Sequence, residues 1–278
     1  MMGPPAPQSQ FDHSSQAKGL MRSPVSVVIL AGLVALSAPT ASSAQILETE
    51  TARPVGRGVF KFGGNFEYQR SSEGHESAMP LVIEYGFSSR LELALEPVAF
   101  TKIRPKVGTR ASGGGDLEAT LTFLASHETA GAPAIAFAGE IKFPTAKNPL
   151  IGTGRTDYAL YLIGSKKFGD FDLHGNLGYT FVGKPVGAPL KNIVNFALGG
   201  ERKFRTAWSI FGEVLANTAS STLLEAANQA APEARGGEIV GSLGLARYVS
   251  HSFRLSMGVS VDNNGAVLLR PGITIWRR

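Results

Sequence analysis

The sequence predicts an all-β protein: a closed antiparallel transmembrane β-barrel of about twelve strands. Three observations carry that expectation. After Gly56, apolar and polar residues alternate with a period of two in segment after segment, the pattern of a strand with one apolar face. Most segments run about 9–11 residues, the length a tilted strand needs to cross a bilayer and well above the roughly 5–6 of a soluble strand. The connections alternate short and long, as in barrels whose turns face one compartment and whose loops face the other.

Composition agrees. Of 278 residues only 18% are charged and 33 are glycine, fewer charges and more glycine than in an average soluble domain. A hydrophobic content of 43% excludes a disordered chain. With no cysteine, a disulfide scaffold, a zinc–thiolate site and a cysteine nucleophile are excluded. Five histidines leave little for a histidine-built metal centre, and a scattered net charge of +5 gives no footprint for nucleic acid. No cofactor is implied.

The first 44 residues read as an address. Residues 25–37, VSVVILAGLVALS, are too short for the roughly 20 residues of a spanning helix. Arg22 precedes them and Ala41-Ser42-Ser43-Ala44 follows, the grammar of a signal peptide cleaved after Ala44; an uncleaved anchor is the alternative. Met21 would make a compact start, which leaves residues 1–20 as an over-long extension. The chain then divides into a signal peptide over 1–44, a periplasmic N-terminal segment over 45–57 and the barrel over 58–278.

In the first strand Phe60, Phe62, Phe66 and Tyr68 fall on one side, with Lys61, Asn65, Glu67 and Gln69 on the other. The apolar series continues through Leu81, Ile83 and Tyr85; Leu91, Leu93, Leu95 and Ala99; Leu117, Leu121 and Phe123; and Ile135, Phe137 and Ile141. Tyr158, Leu160 and Leu162 follow, then Phe171, Leu173, Leu177 and Tyr179, then Val194, Phe196 and Leu198, then Trp208, Ile210 and Val214. The last three series are Ile239, Leu243 and Leu245; Phe253, Leu255, Met257 and Val259; and Val267, Leu269, Ile273 and Ile275. Pro97 and Pro271 interrupt two of these strands; each removes a ladder donor, so a bulge is expected at both.

Alternation alone also fits a lipocalin-like barrel or a β-sandwich with its apolar side inward. Two features decide the orientation. The polar face is stocked with Gly, Ser, Thr, Asn and Ala as well as charges, which suits a crowded or watery interior. Rings gather at segment ends (Phe60, Tyr85, Phe143, Tyr158, Phe181, Trp208 and Phe253 among them), as in the girdles at both bilayer boundaries. The apolar side is therefore assigned to lipid, and closure follows because an open edge would leave backbone groups unpaired there. Short connections at 86–90, 126–132, 169–170, 204–206 and 249–251 face the periplasm; those at 70–76, 101–115, 144–154, 183–190 and 217–236 face outward.

The remaining face then lines the interior. It carries Glu67, Glu84, Glu92, Glu96, Asp116, Glu118, Glu140, Asp157, Asp172, Glu213 and Glu238, with Lys61, Lys142, Lys167, His174, Arg254 and Arg270. A surplus of carboxylates favours cations or neutral polar solutes over anions; a salt-bridged interior that packs a narrow barrel is the alternative. Across the Gly169-Asp170 turn, Lys167 is expected opposite Asp172 and Ser165 opposite His174. The second pair invites a serine-hydrolase reading, but no third residue is identified to orient the histidine, so His174 is read as a hydrogen-bonding group of the lumen. Lys102, Arg104, Lys106 and Arg110 crowd one outer loop, either against lipopolysaccharide phosphates or in solvent. Thr222 and Glu225 have capping-box spacing, so residues 222–231 predict a short helix ended by Pro232, inside the mouth or outside it.

Gly152-Thr153-Gly154-Arg155-Thr156-Asp157 leads into a strand ending Ser165-Lys166-Lys167-Phe168-Gly169, followed by Leu173-His174-Gly175-Asn176-Leu177-Gly178-Tyr179. With Lys142-Phe143-Pro144-Thr145 and Gly113-Gly114-Gly115-Asp116-Leu117 upstream, residues 113–215 resemble the transporter-like barrels of the meta-pathway of phenol degradation family. The resemblance implies an outer-membrane protein of Gram-negative bacteria that passes small compounds, aromatic ones included. The chain departs from that family's pattern at its end, where Trp276 is followed by Arg277-Arg278 instead of closing the chain. The expectation is a passive channel with an acidic lumen, performing no reaction, in contact with outer-membrane lipid and lipopolysaccharide. A non-conducting structural barrel and, more distantly, an outer-membrane hydrolase are the alternatives.

Overall fold

A computed structural model describes residues 47–186, 190–220 and 237–277. The signal peptide expected over 1–44, the helix expected over 222–231 and Arg278 lie outside the described residues. The strands are β1 (Phe60–Asn65), β2 (Glu67–Arg70), β3 (Gly74–Gly86), β4 (Leu91–Pro105), β5 (Ala111–Gly113), β6 (Leu117–Ser126) and β7 (Ala134–Phe143). They continue as β8 (Asp157–Phe168), β9 (Phe171–Phe181), β10 (Ile193–Arg205), β11 (Trp208–Asn217), β12 (Ile239–Ser250), β13 (Phe253–Asp262) and β14 (Val267–Arg277). No described helix is long and apolar enough to cross a membrane.

All pairings are antiparallel, and β14 returns to pair with β1 and β2, so the sheet closes. β1 and β2 form one wall strand interrupted at Phe66, whose N–H donates to the Pro271 carbonyl at 3.0 Å. β5 and β6 likewise follow one another along β4. The wall therefore has twelve strand positions.

The apolar series faces outward. Leu160 and Leu243 are each 61% exposed, and Leu121, Phe137 and Leu177 are about half exposed, whereas their neighbours Ala136, Ala138, Ala159, Tyr161 and Ile163 are buried. Leaving a large apolar side chain in water forgoes roughly 1.5–3 kcal/mol each, so a belt of this size is stable only against hydrocarbon. The inner face of β7 and β8 is lined by Ala134, Ala136, Ala138 and Ala159, which pack with Ala52 from the N-terminal segment.

Gly169 has φ +61 and among the described residues no non-glycine has positive φ, which gives the two-residue turn the form of type II′. That turn sets Phe168 against Phe171, Lys167 against Asp172 and Ser165 against His174, the register expected from the sequence. The prolines behave differently from expectation. Near Pro97 the bulge lies at Ala99, where the β3–β4 register shifts between Met79 and Pro80. Pro271 stands in register opposite Met257 without a bulge, because its missing donor falls where β1 gives way to β2.

Candidate functional site

The alternation that sends leucines outward sends the expected carboxylates inward. Glu84, Glu92, Asp116, Lys142, Asp157, His174, Glu213, Arg254 and Arg270 are all buried, and Glu67, Glu96, Glu118, Glu140, Asp172 and Glu238 are partly buried. Burying charge demands partners. Lys61 Nζ lies 2.9 Å from Glu84 Oε1, and Arg254 Nη2 lies 3.2 Å from Glu201 Oε1. Lys142 Nζ sits 2.6 Å from Asp157 Oδ2 and 3.5 Å from Asp116 Oδ2. Those two carboxylates in turn accept the N–H groups of Gly183 (2.7 Å) and Ala146 (2.9 Å), so one lysine ties down two of the longer connections. Lys167 does not join the lumen: its side chain is 59% exposed at the rim, 3.9 Å from Asp172, because β8 runs on past the belt.

Residues 47–55 occupy the interior, which corrects the expectation that 45–57 lie in the periplasm. Leu47, Thr49, Glu50, Thr51 and Ala52 are each at most 5% exposed. An extended chain inside a barrel must find donors and acceptors in the wall, and it does so at successive residues. Glu48 Oε1 meets Arg270 Nη2 at 2.6 Å, while Arg270 Nε lies 2.9 Å from Glu67. Thr49 donates its N–H and its hydroxyl to Glu213 Oε2 at 2.9 and 2.8 Å. The Glu50 N–H donates to Asn176 Oδ1 at 2.7 Å, and Asn176 Nδ2 donates back to the Glu50 carbonyl at 3.1 Å. The Ala52 N–H donates to Ser165 Oγ at 2.8 Å, and the Val55 N–H donates to Glu92.

These partners stand on β4, β8, β9, β11 and β14, on all sides of the barrel, so the segment crosses the lumen and does not merely coat one wall. Small inner residues make the space. A Cβ added at Gly199 would fall 2.7 Å from Thr49 Oγ1. The inner alanines on β7 and β8 and Gly199 leave room for this segment, though in the sequence they fit a water-filled interior equally well. Glu48 and Glu201, which pair with Arg270 and Arg254, were also absent from the expected set.

Ser165 Oγ and His174 Nδ1 are 2.9 Å apart, and His174 Nε2 lies 3.7 Å from Asp172 Oδ1. The third residue that the sequence reading lacked is therefore adjacent. Its carboxylate, however, is taken in both oxygens by Arg53 Nη1 at 2.9 and 3.0 Å. The Ser165 hydroxyl is 1% exposed and accepts the Ala52 N–H. This trio holds the N-terminal segment.

Beyond Leu47, toward the longer connections, lies a cavity of about 210 Å³. Its walls mix carboxylates (Glu48, Glu67, Glu76, Glu96, Glu118 and Asp262) with apolar groups such as Val98, Ile151, Leu215 and Leu268.

No protein-family model matches the chain, nor does any curated protein. Solved structures do. An outer-membrane channel from Pseudomonas putida F1 is 13% identical, with 81% of this chain and 98% of that one covered and a TM-score of 0.60. The NanC porin is 9% identical with a TM-score of 0.57, and the KdgM porin in complex with disordered oligogalacturonate is 11% identical with a TM-score of 0.52. Each covers 77% of this chain and 98% of its own. The chain has the fold of these outer-membrane β-barrels. At these identities the likeness is one of fold.

Arg53 marks the end of the lumen segment that lies on the short-turn side of the barrel, the side that faces the periplasm in outer-membrane barrels. There Arg53 Nη2 lies 2.7 Å from Glu128 Oε2, and the Lys167 N–H donates to Glu128 Oε1 at 2.9 Å. The Lys167 N–H and then the Arg53 guanidinium hold the Glu128 carboxyl down to about 2, from an ordinary 4.5. A carboxylate with a lowered folded value stabilises fully above its ordinary value and loses that contribution as pH falls toward the lowered one. The Arg53–Glu128 pair thus contributes fully at neutral pH and is lost as pH falls from 4.5 toward about 2. Heat-modifiable gel mobility followed against pH should therefore lose, in Glu128→Gln, the part of its acid sensitivity that falls between pH 4.5 and about 2; identical profiles for wild type and variant would contradict this contribution.

Proposed function

We propose that this protein is an outer-membrane channel for small cationic or neutral solutes, kept closed at rest by residues 47–55. The observation that carries the reading is the charge balance inside the wall. Lys61, Lys142, Arg254 and Arg270 are each committed to a carboxylate, while among the described residues no cation lies within ion-pair distance of Glu96, Glu118 or Glu140. Carboxyl groups that no cation pairs with directly, set in a narrow passage, attract cations and repel anions whenever they are ionised. The resemblance to the phenol meta-pathway barrels supports passage of small compounds, aromatic ones included. The KdgM porin was solved with oligogalacturonate, an anionic sugar, and the carboxylates here favour the opposite charge.

The remaining parts fit the same reading. Residues 1–44 serve as the signal peptide for export. Arg104, Lys106 and Arg110 stand exposed at the outer rim near Lys102, where lipopolysaccharide phosphates would meet them. Reversal potentials in a salt gradient across planar bilayers test the selectivity. The expected sign is that of cation preference, several-fold over chloride; anion preference contradicts the carboxylate reading. Absence of current steps from both the full chain and one lacking residues 47–55 ends the channel reading.

A further inference from the structure

We propose that the outer cavity binds an organic ammonium with a compact apolar body, its charge held between Glu96 and Glu118. This deepens the channel reading by naming a solute class, and it rests on that reading only for how the ligand arrives. Glu96 on β4 and Glu118 on β6 stand directly opposite each other in register. Directly opposed residues have Cβ atoms about 4.5–5.5 Å apart, and like charges so placed are destabilising. Both side chains are on the inner face and both line the cavity.

No described cation forms a direct ion pair with either carboxyl. Lys142 is the residue opposite Glu118 on the next strand, but its ammonium is turned to Asp157 at 2.6 Å and Asp116 at 3.5 Å. Arg270, which also lines the cavity, is held between Glu48 and Glu67. Glu96 Oε2 is shielded from solvent and accepts no hydrogen bond from the described residues. A buried acceptor left unmade costs about 1–3 kcal/mol, a cost that an N–H donor brought beside the pair would relieve. No group of three or more described side chains is arranged to hold a metal ion, which leaves a hydrogen-bonding cation as the fitting partner.

The rest of the cavity defines that cation's body. Val98 lies two residues along β4 from Glu96, and Ile151, Leu215 and Leu268 complete an apolar surround. A cavity of about 150 Å³ admits benzene, so one of about 210 Å³ has room for a six-carbon ring bearing one ammonium. Such a ligand would give its N–H donors to Glu96 and Glu118 and its ring to the apolar wall.

Calorimetric titration of the detergent-solubilised, full-length protein with cyclohexylammonium tests this, with cyclohexanol and cyclohexanecarboxylate as neutral and anionic counterparts. The expected result is saturable binding of the ammonium, at least about tenfold weaker in Glu96→Gln, and no saturable binding of the carboxylate. Retained heat-modifiable gel mobility shows that the variant still forms a barrel; should Glu96→Gln fail to do so, Glu118→Gln gives the same reading. Equal affinity for the alcohol, an unchanged affinity in a folded variant, or no saturable binding of the ammonium would each overturn the proposal. Because binding is read without current, a barrel that binds the ammonium but never conducts upholds the site while ending the channel reading.

Discussion

Deletion of residues 47–55, with the signal peptide kept, should convert a closed or flickering barrel into one with a stable current step several-fold larger. A twelve-stranded wall is wide enough to leave an aqueous passage once nothing fills it. The segment is held by side-chain partners at Glu213, Asn176, Ser165, Glu92 and Arg270. At about 1 kcal/mol net for each such bond, the set favours the closed arrangement by several kcal/mol, which is more than a hundredfold in population. The same estimate says why single substitutions should act weakly. Asn176→Ala removes two bonds to Glu50 and should raise open probability by roughly thirtyfold without abolishing closure. Unchanged conductance after the deletion would mean that the segment does not obstruct the passage.

Lys142→Met should be the most destabilising single change in the wall. The ammonium is buried with side-chain exposure of 3%, between Asp157 and Asp116 at 5% and 4%. Removing one partner of a buried ion pair leaves uncompensated charge at a cost of about 3–5 kcal/mol. Here two carboxylates are left at once, and each also anchors a connection through Gly183 or Ala146. The temperature at which heat-modifiable mobility is lost should fall markedly, and Lys142→Met combined with Asp157→Asn should recover part of the loss. A midpoint equal to wild type would show that the cluster is solvated and contributes little.

The wall was legible in the sequence because its rule is local. A period of two and a turn at Gly169 suffice to assign faces and even the Ser165–His174 pairing. The lumen was legible only by subtraction. A face of alanines, glycines and hydroxyls suits water and suits a second chain equally well, so Ala136, Ala138 and Gly199 pointed to a tenant only once Thr49 and Ala52 were seen against them. Thr49-Glu50-Thr51 has no apolar periodicity and would satisfy its backbone as readily in solvent. Its placement comes from contacts more than a hundred residues away in sequence, at Asn176 and Glu213, which no local pattern encodes. Pro271 was misjudged for a related reason: its missing donor is absorbed by a break in the neighbouring strand, not by a bulge in its own.

The central claim is that the apolar face meets lipid and the carboxylates face inward. The chain has no cysteine, so a single nitroxide can be placed at Leu160→Cys or Leu243→Cys, the two positions at 61% exposure, in protein reconstituted into bilayers. Collision rates with oxygen, which concentrates in hydrocarbon, should be high at both sites, and those with a water-soluble nickel complex low. Nitroxides reached freely by the nickel complex, in a protein that stays dispersed without detergent, would reverse the barrel inside out and take the channel with it.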